Sequence, residues 1–190
     1  FRLFAQKLPK DGLLVINSDI DRYEEIVDGL ECRIVTCGKR ADSNYRAEDI
    51  TYDHFARAAF RLMIDGQDAG EITLGVPGEH NVYNALAAIA LCQDLGIDME
   101  HIRAGLKKFT GTNRRFEKKG EIGGVTIIDD YAHHPQEIAA TLAAAKNYPH
   151  KKLWCVFQPN TYTRTKALLP EFAKALTLAD HVILADIYAA

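Results

Sequence analysis

Residues 127–135 read Ile127-Ile128-Asp129-Asp130-Tyr131-Ala132-His133-His134-Pro135, an apolar run that stops at two carboxylates, a phenol and two imidazoles. Those side chains can exchange protons near neutral pH, hold a cation, or hydrogen-bond a phosphate or carboxylate. The run Gly124-Val125-Thr126-Ile127-Ile128 before them predicts a strand buried on both faces. After them, Pro135 suits the first position of a helix, where a missing N–H costs nothing, and Glu137 suits the positive end of the helix dipole. The cluster therefore sits on a strand-to-helix corner, at the edge where open α/β sheets bind ligands. Turn and capping residues also collect at such corners, but caps need neither paired acids nor paired imidazoles. A metal held by His133, His134 and Asp129 or Asp130 is a weaker reading. Adjacent side chains on a turn point apart, and no H-E-x-x-H spacing occurs.

Two further clusters end the next strands: Gln158-Pro159-Asn160-Thr161-Tyr162-Thr163-Arg164-Thr165 and Asp186-Ile187-Tyr188. Arg164 falls in the first turn of its expected helix, where a cation opposes the dipole unless an anion bridges the two. Either an anionic ligand or a neighbour such as Glu171 resolves that conflict. Outside this rim, Gly78-Glu79-His80-Asn81-Val82-Tyr83-Asn84 opens a helix, with His80 and Asn84 four residues apart on one face. Asn is a poor helix former, so Asn81 and Asn84 either satisfy the helix start or serve recognition. In Asn113-Arg114-Arg115-Phe116-Glu117, the guanidiniums can reach a phosphate or remain solvated linker charge. No phosphate loop is present: Gly38-Lys39 is followed by Arg40, and Arg33 stands where G-x-x-x-x-G-K-[ST] needs glycine.

The elements that must position these residues follow from periodicity and punctuation. Helices are expected over 1–8, 22–30, 80–95, 98–109, 135–147 and 161–178, with Gly96 as a C-terminal cap and Asp98 as an N-cap. Strands are expected over 13–16, 33–36, 60–64, 71–76, 125–128, 153–157 and 182–185, with Asp65 to Gly70 as a hairpin connection. The first half is of mixed strand direction. Past a boundary at about residue 112, strands alternate with helices, which implies right-handed crossovers, a parallel sheet and polar strand ends on one rim. The fold class is α/β throughout.

At 190 residues, 47% apolar and 26% charged, the chain has an ordinary globular composition, with a net charge of -3. No basic face advertises nucleic acid and no polybasic tract an anionic membrane. Cys32, Cys37, Cys92 and Cys155 form no C-x-x-C pair, as expected for reduced thiols in a cytoplasm. No signal peptide or membrane-length apolar run is visible. The chain starts at Phe1 and stops just after an apolar run, so it is expected to be a segment of a longer enzyme.

Together, Gly78-Glu79-His80-Asn81-Val82-Tyr83-Asn84-Ala85-Leu86-Ala87-Ala88, Asn113-Arg114-Arg115-Phe116-Glu117, Asp129-Asp130-Tyr131-Ala132-His133-His134-Pro135, Gln158 to Thr165 and Ala185-Asp186-Ile187-Tyr188-Ala189-Ala190 resemble the Mur ligase family. That resemblance implies a three-domain, ATP-dependent, amide-forming enzyme of peptidoglycan assembly. Residues 1–112 would be the later part of its central P-loop-type ATPase domain, and 113–190 the beginning of its Rossmann-like C-terminal domain, both incomplete. ATP would activate the lactyl carboxylate of UDP-N-acetylmuramate as an acyl phosphate, and the amine of L-alanine would attack it. His80, Asn81 and Asn84 resemble the adenine contacts, and Arg115 and Asp130 the contacts to phosphates and ribose. Tyr131, His133, Asn160 and Arg164 resemble the amino-acid end of the site. The phosphate loop and the Mg2+ ligands are expected upstream, so no complete catalytic set and no metal site is expected here. Many family members carry His-Arg where Asn160-Thr161 stands. The sister ligase that recycles murein tripeptide typically has Phe at the place of Tyr131 and lacks the Gln-Pro-x-x-Tyr-Thr-Arg-Thr segment. A non-catalytic nucleotide-binding module is the remaining alternative.

Overall fold

The computed structural model describes residues 1–189, so Ala190 of the last motif lies outside them. The chain divides into two compact units. One comprises Phe1–Thr51, Ala58–Gly75 and His80–Phe109; the other comprises Tyr52–Arg57, Val76–Glu79 and the chain from Thr110 onward.

The first unit starts with α1 (Arg2–Ala5), β1 (Leu13–Asn17), α2 (Tyr23–Val27) and β2 (Arg33–Gly38). It continues through β3 (Tyr45–Tyr52), β4 (Arg57–Ile64), β5 (Gln67–Pro77), α3 (His80–Asp94) and α4 (Met99–Lys108). The strands form one sheet in the order β1-β2-β3-β4-β5. β1 and β2 run parallel from Leu13↔Arg33 to Asn17↔Cys37, so both carboxyl ends share an edge. Alternation explains the burial of Ala58, Phe60 and Leu62 on β4 and of Ile72 and Leu74 on β5. On α3 the buried residues Val82, Ala85, Leu86, Ile89 and Ala90 fall at helical spacing and form one stripe. The helix packs on β1 and β2. Asp98 caps α4 by accepting from the His101 N–H, as its sequence position predicts.

Some expected bounds change. α2 spans five residues rather than 22–30, because it buries none of its side chains and Gly29 then takes φ 74°. α1 shortens in the same way, with Ala5 as its one buried residue. The connection expected over Asp65 to Gly70 contracts to Asp65-Gly66, at φ 48° and 79°. Two consecutive positive φ values make the tight turn whose twist matches a hairpin, so β5 already begins at Gln67.

The second unit contains β6 (Glu117–Ile122), β7 (Val125–Asp129), α5 (Pro135–Lys146), β8 (Trp154–Phe157), α6 (Tyr162–Ala167), α7 (Leu169–Leu176) and β9 (His181–Leu184). β8 and β9 pair in parallel from Trp154↔His181 to Phe157↔Leu184, with α6 and α7 as the crossover. Ile138 and Leu142 of α5, Phe157 of β8 and Phe172, Ala175 and Leu176 of α7 form the core. Among the described residues, no helix is long and apolar enough to cross a membrane.

Three expectations are corrected here. β7 pairs antiparallel with β6, a strand the sequence reading missed, through Gly123-Gly124 at φ 58° and 78°. It is therefore not buried on both faces: Val125 and Ile127 are exposed. Nor does β7 join the β8–β9 ladder; residues of β7, β8 and α5 instead line a cavity of about 190 Å³. Finally, the helix expected over 161–178 breaks at Leu168 (φ -117°, ψ 23°). Pro170 has no N–H for the Lys166 carbonyl and crowds it, so the chain restarts as α7.

Candidate active site

The corner between β7 and α5 is fixed by its own polar side chains. Pro135 opens the helix, the Gln136 N–H donates to His134 Nδ1 at 3.3 Å, and Glu137 reaches back. Glu137 Oε2 accepts from the His133 N–H at 2.9 Å and the His134 N–H at 3.1 Å. This reciprocal cap satisfies helix-start donors that would otherwise be orphaned. Burial alone would raise the Glu137 carboxyl, but the His133 amide, the His133 ring, the His134 amide and Arg115 outweigh it and hold the group below its ordinary range.

The two aspartates divide their work. Asp130 turns inward: Oδ1 accepts from the Ala132 N–H at 2.8 Å, and Oδ2 from the Phe116 N–H at 2.9 Å and the Thr141 hydroxyl at 3.1 Å. Asp129 turns outward to Arg114 Nε at 3.3 Å and Lys119 Nζ at 3.9 Å. The opposite facing of neighbours at a strand end produces this split. Arg114 also lies over the Tyr131 ring, 4.7 Å from its centroid. Tyr131 in turn meets the His133 ring edge-on at 5.4 Å.

Arg115 and His133 meet on one carboxylate. Arg115 Nη1 is 3.8 Å from Glu137 Oε1, and His133 Nδ1 is 3.5 Å from Glu137 Oε2 and 3.0 Å from the Tyr131 carbonyl. From the sequence, Glu137 has only a dipole role and Arg114 only a phosphate or linker role, without its place over the Tyr131 ring and beside Asp129. The Pro-x-Glu spacing after paired histidines was the available signal for Glu137.

The corner between β8 and α6 is built differently. Asn160 bridges Tyr188 in parallel, the Thr161 N–H donates to the Tyr188 carbonyl at 2.9 Å, and the Tyr188 N–H to the Pro159 carbonyl at 2.9 Å. The Gln158 amide donates to the Asp186 carbonyl at 3.2 Å, so the two polar segments expected after β8 and β9 do converge. Among the described residues, no hydrogen bond or ion pair joins them to Asp129 to His134. Arg164 sits in a six-residue helix, within a turn of both ends, so the dipole argument made for it loses its basis. The alternative pairing with Glu171 is not formed among the described residues either; Arg164 is half-buried.

His80, Asn81 and Asn84 lie in the first unit, on the opening turn of α3, where Asn84 Nδ2 donates to Asn81 Oδ1 at 3.1 Å. Tyr83 on the same turn meets the Lys39 ammonium 5.3 Å from its ring centroid. Lys39 follows the end of β2, and its N–H donates to the Asp19 carboxylate at 2.9 and 3.0 Å. This turn therefore stands at the shared carboxyl edge of β1 and β2. Among the described residues, no group of three or more His, Cys, Asp or Glu side chains is placed to hold a metal ion.

Two family models match: the Mur ligase middle domain over residues 1–92, and the Mur ligase glutamate ligase domain over 114–188. The UDP-N-acetylmuramate–L-alanine ligase of Lachnospira eligens is 60% identical over 191 residues, covering 100% of this chain and 42% of the relative. Among solved structures, the UDP-N-acetylmuramate-alanine ligase of Thermotoga maritima superposes with a TM-score of 0.76 at 34% identity, covering 93% of this chain and 38% of that one. A murein peptide ligase from Psychrobacter arcticus gives 0.70 at 28%, covering 97% and 39%. The chain thus spans about two fifths of the length of these relatives. Two consecutive domain matches, together with a capped corner carrying Asp-Asp-Tyr-Ala-His-His-Pro, establish that the chain belongs to the Mur ligase family.

Proposed function

We propose that the whole protein is an ATP-dependent ligase that joins L-alanine to UDP-N-acetylmuramate in the cytoplasm, for peptidoglycan precursor synthesis. The observation that carries this reading is the Glu137 carboxylate flanked by the Arg115 guanidinium and the His133 imidazole, in a chain 60% identical to a relative bearing that activity in its name. In such a reaction the protein mostly positions reactants and neutralises charge. Residues 1–112 serve as part of the ATP-binding domain and 113–190 as part of the C-terminal ligase domain.

The donor set on the α3 turn fits a purine. Asn84 is exposed and uses its amide N–H toward Asn81, which leaves its carbonyl oxygen for a donor such as the adenine amine. His80 and Asn81 complete that contact. Arg115 meets the phosphates, and Asp130 acts on the nucleotide through Arg115, because it pins the backbone of the next residue, Phe116. Tyr131, His133, Asn160 and Arg164 receive the amino acid. Magnesium, supplied by ligands outside this chain, would neutralise phosphate charge.

A sister ligase for another amino acid or peptide is the rival; Tyr131 and the Gln158 to Thr165 segment favour the alanine enzyme. Phosphate release by the full-length enzyme, with ATP, UDP-N-acetylmuramate and each candidate amino acid in turn, tests the choice. Alanine-dependent turnover is expected, and its absence ends this reading. A non-catalytic module predicts instead that the upstream sequence lacks G-x-x-x-x-G-K-[ST].

A further inference from the structure

We infer that His133 is the catalytic base that takes a proton from the incoming amino-acid ammonium at its Nε2 atom, with the Tyr131 carbonyl and Glu137 as the groups that fix its tautomer. This rests on the ligase reading above and adds a proton-transfer role to a residue placed there only as a contact.

The geometry leaves one assignment for the ring. His133 Nδ1 lies 3.0 Å from the Tyr131 carbonyl oxygen and 3.5 Å from Glu137 Oε2. A carbonyl can only accept, and so can an ionised carboxylate, so Nδ1 must carry the hydrogen. The neutral ring then has its lone pair on Nε2. His134 is held the opposite way, because its Nδ1 accepts the Gln136 N–H. Neighbouring imidazoles thus differ in role: one is used as a helix cap, and the other is oriented by an oxygen pair with its second nitrogen available. A base oriented by a third group is the arrangement that activates nucleophiles in other enzyme classes.

The surroundings suit the role. The His133 side chain is about one-third exposed (34%), open enough to meet a substrate amine. The charged and titratable groups around it are Glu137 on α5, Tyr131 edge-on in the preceding loop, Arg115 beyond Glu137 and Arg114 beyond Tyr131. Asp130 is turned away, toward Phe116, Ala132 and Thr141.

The step balances. Nε2 takes one proton from the ammonium, and the freed nitrogen lone pair forms the C–N bond at the acyl-phosphate carbon. The tetrahedral adduct collapses as the C–O bond to phosphate breaks, its electron pair leaving with the phosphate. A second nitrogen proton goes to that phosphate, which departs as hydrogen phosphate. The imidazolium then returns its proton to solvent. An imidazole suits the task because its ordinary titration spans neutral pH.

The test uses the full-length enzyme with ATP and UDP-N-acetylmuramate, and two acceptors: L-alanine, which arrives as an ammonium, and hydroxylamine, which is mostly unprotonated at neutral pH. His133→Gln is expected to lower alanine-dependent kcat by about 10²- to 10⁴-fold, the usual contribution of general-base catalysis, and the hydroxylamine reaction by far less. The acid limb of the alanine pH profile should vanish with it. Glu137→Gln keeps an acceptor for the His133 and His134 N–H groups but loses the carboxylate beside the His133 ring, so it should lower the alanine reaction more than the hydroxylamine reaction. Equal losses with both acceptors, in either variant, would overturn the assignment. If wild type releases phosphate with neither acceptor, the ligase reading itself has failed, an outcome separate from a loss confined to the variants.

Discussion

Two strand-to-helix corners of the second unit, β7 to α5 and β8 to α6, carry the polar motifs of this chain, yet they are held by opposite means. The first is determined by its own residues. His134 and Glu137 cap α5 reciprocally, Asp130 clamps three donors, and the twelve-residue helix buries Pro135, Ile138, Leu142, Ala144 and Ala145. The second is determined by a neighbour. α6 has six residues, buries none and has no side-chain cap, and Thr161 before it stands at φ 64°, ψ 134°. That backbone is strained for a β-branched residue, and its N–H is anchored to the Tyr188 carbonyl. One corner is fixed largely by its own side chains, whereas the other is tied by backbone hydrogen bonds to the segment after β9 and by the Thr165 hydroxyl on the Thr161 carbonyl.

The sharpest way to break the first corner is Asp130→Ala. It leaves the Phe116 N–H, the Ala132 N–H and the Thr141 hydroxyl without their acceptor, at a cost of about 2–4 kcal/mol of unfolding free energy. Asp129→Ala removes only solvent-facing pairs with Arg114 and Lys119 and should cost about 1 kcal/mol or less. Urea unfolding of the full-length variants checks the contrast; equal midpoints would mean that Asp130 is no clamp. The second corner is better tested by kinetics. Arg164→Ala should lower kcat/KM for the amino acid by about tenfold to a hundredfold, the loss of one charge-assisted contact. Unchanged kinetics would remove Arg164 from the substrate site.

The unequal build of the corners also explains what could be read in advance. The first was legible because its determinants are local: Pro135 and Glu137 mark a helix start by chemistry that acts within four residues. The choice between Asp129 and Asp130 was not legible, since it depends on Phe116 and Thr141, eleven or more residues away in sequence. β6 went unseen because Glu117-Lys118-Lys119-Gly120-Glu121 has no apolar alternation; its pairing with β7 and the Gly123-Gly124 turn make it a strand. The break at Leu168 has a local signal in Pro170, which cannot donate to the Lys166 carbonyl. Nothing in Asn160-Thr161 announces a positive φ, a conformation that Gly would have signalled. The α3 turn was found from residue types alone; the bond between Asn81 and Asn84 agrees with both a helix-start and a recognition role.

Because the strain at Thr161 is local, removing its side chain should act with the opposite sign from removing a cap. Thr161→Gly relieves the backbone cost and is expected to stabilise by up to about 1 kcal/mol, less the entropy that glycine adds to the unfolded chain. His134→Gly should destabilise by a few tenths of a kcal/mol, because a glycine N-cap costs little. Thermal unfolding of both variants compares them directly. A destabilised Thr161→Gly would show that its side chain does more than tolerate the turn.

The smallest expected effect is one of pH, and it belongs to the first corner alone. The Glu137 carboxyl titrates below its ordinary value of 4.5 in the folded state, so folding favours its ionised form. Its contribution is therefore fully present above the unfolded value, falls as pH drops below 4.5, and is exhausted once the folded value is passed. With 35% of the side chain exposed, solvent screening keeps this contribution below about 1 kcal/mol. The measurable quantity is the stability difference between wild type and Glu137→Gln, since the amide keeps an acceptor for the His133 and His134 N–H groups but cannot titrate. That difference should be constant from pH 8 to about 5 and shrink toward pH 3. A difference independent of pH would mean that the cap works through hydrogen bonding without its charge, and the carboxylate would then have no part in holding Arg115 and His133 together.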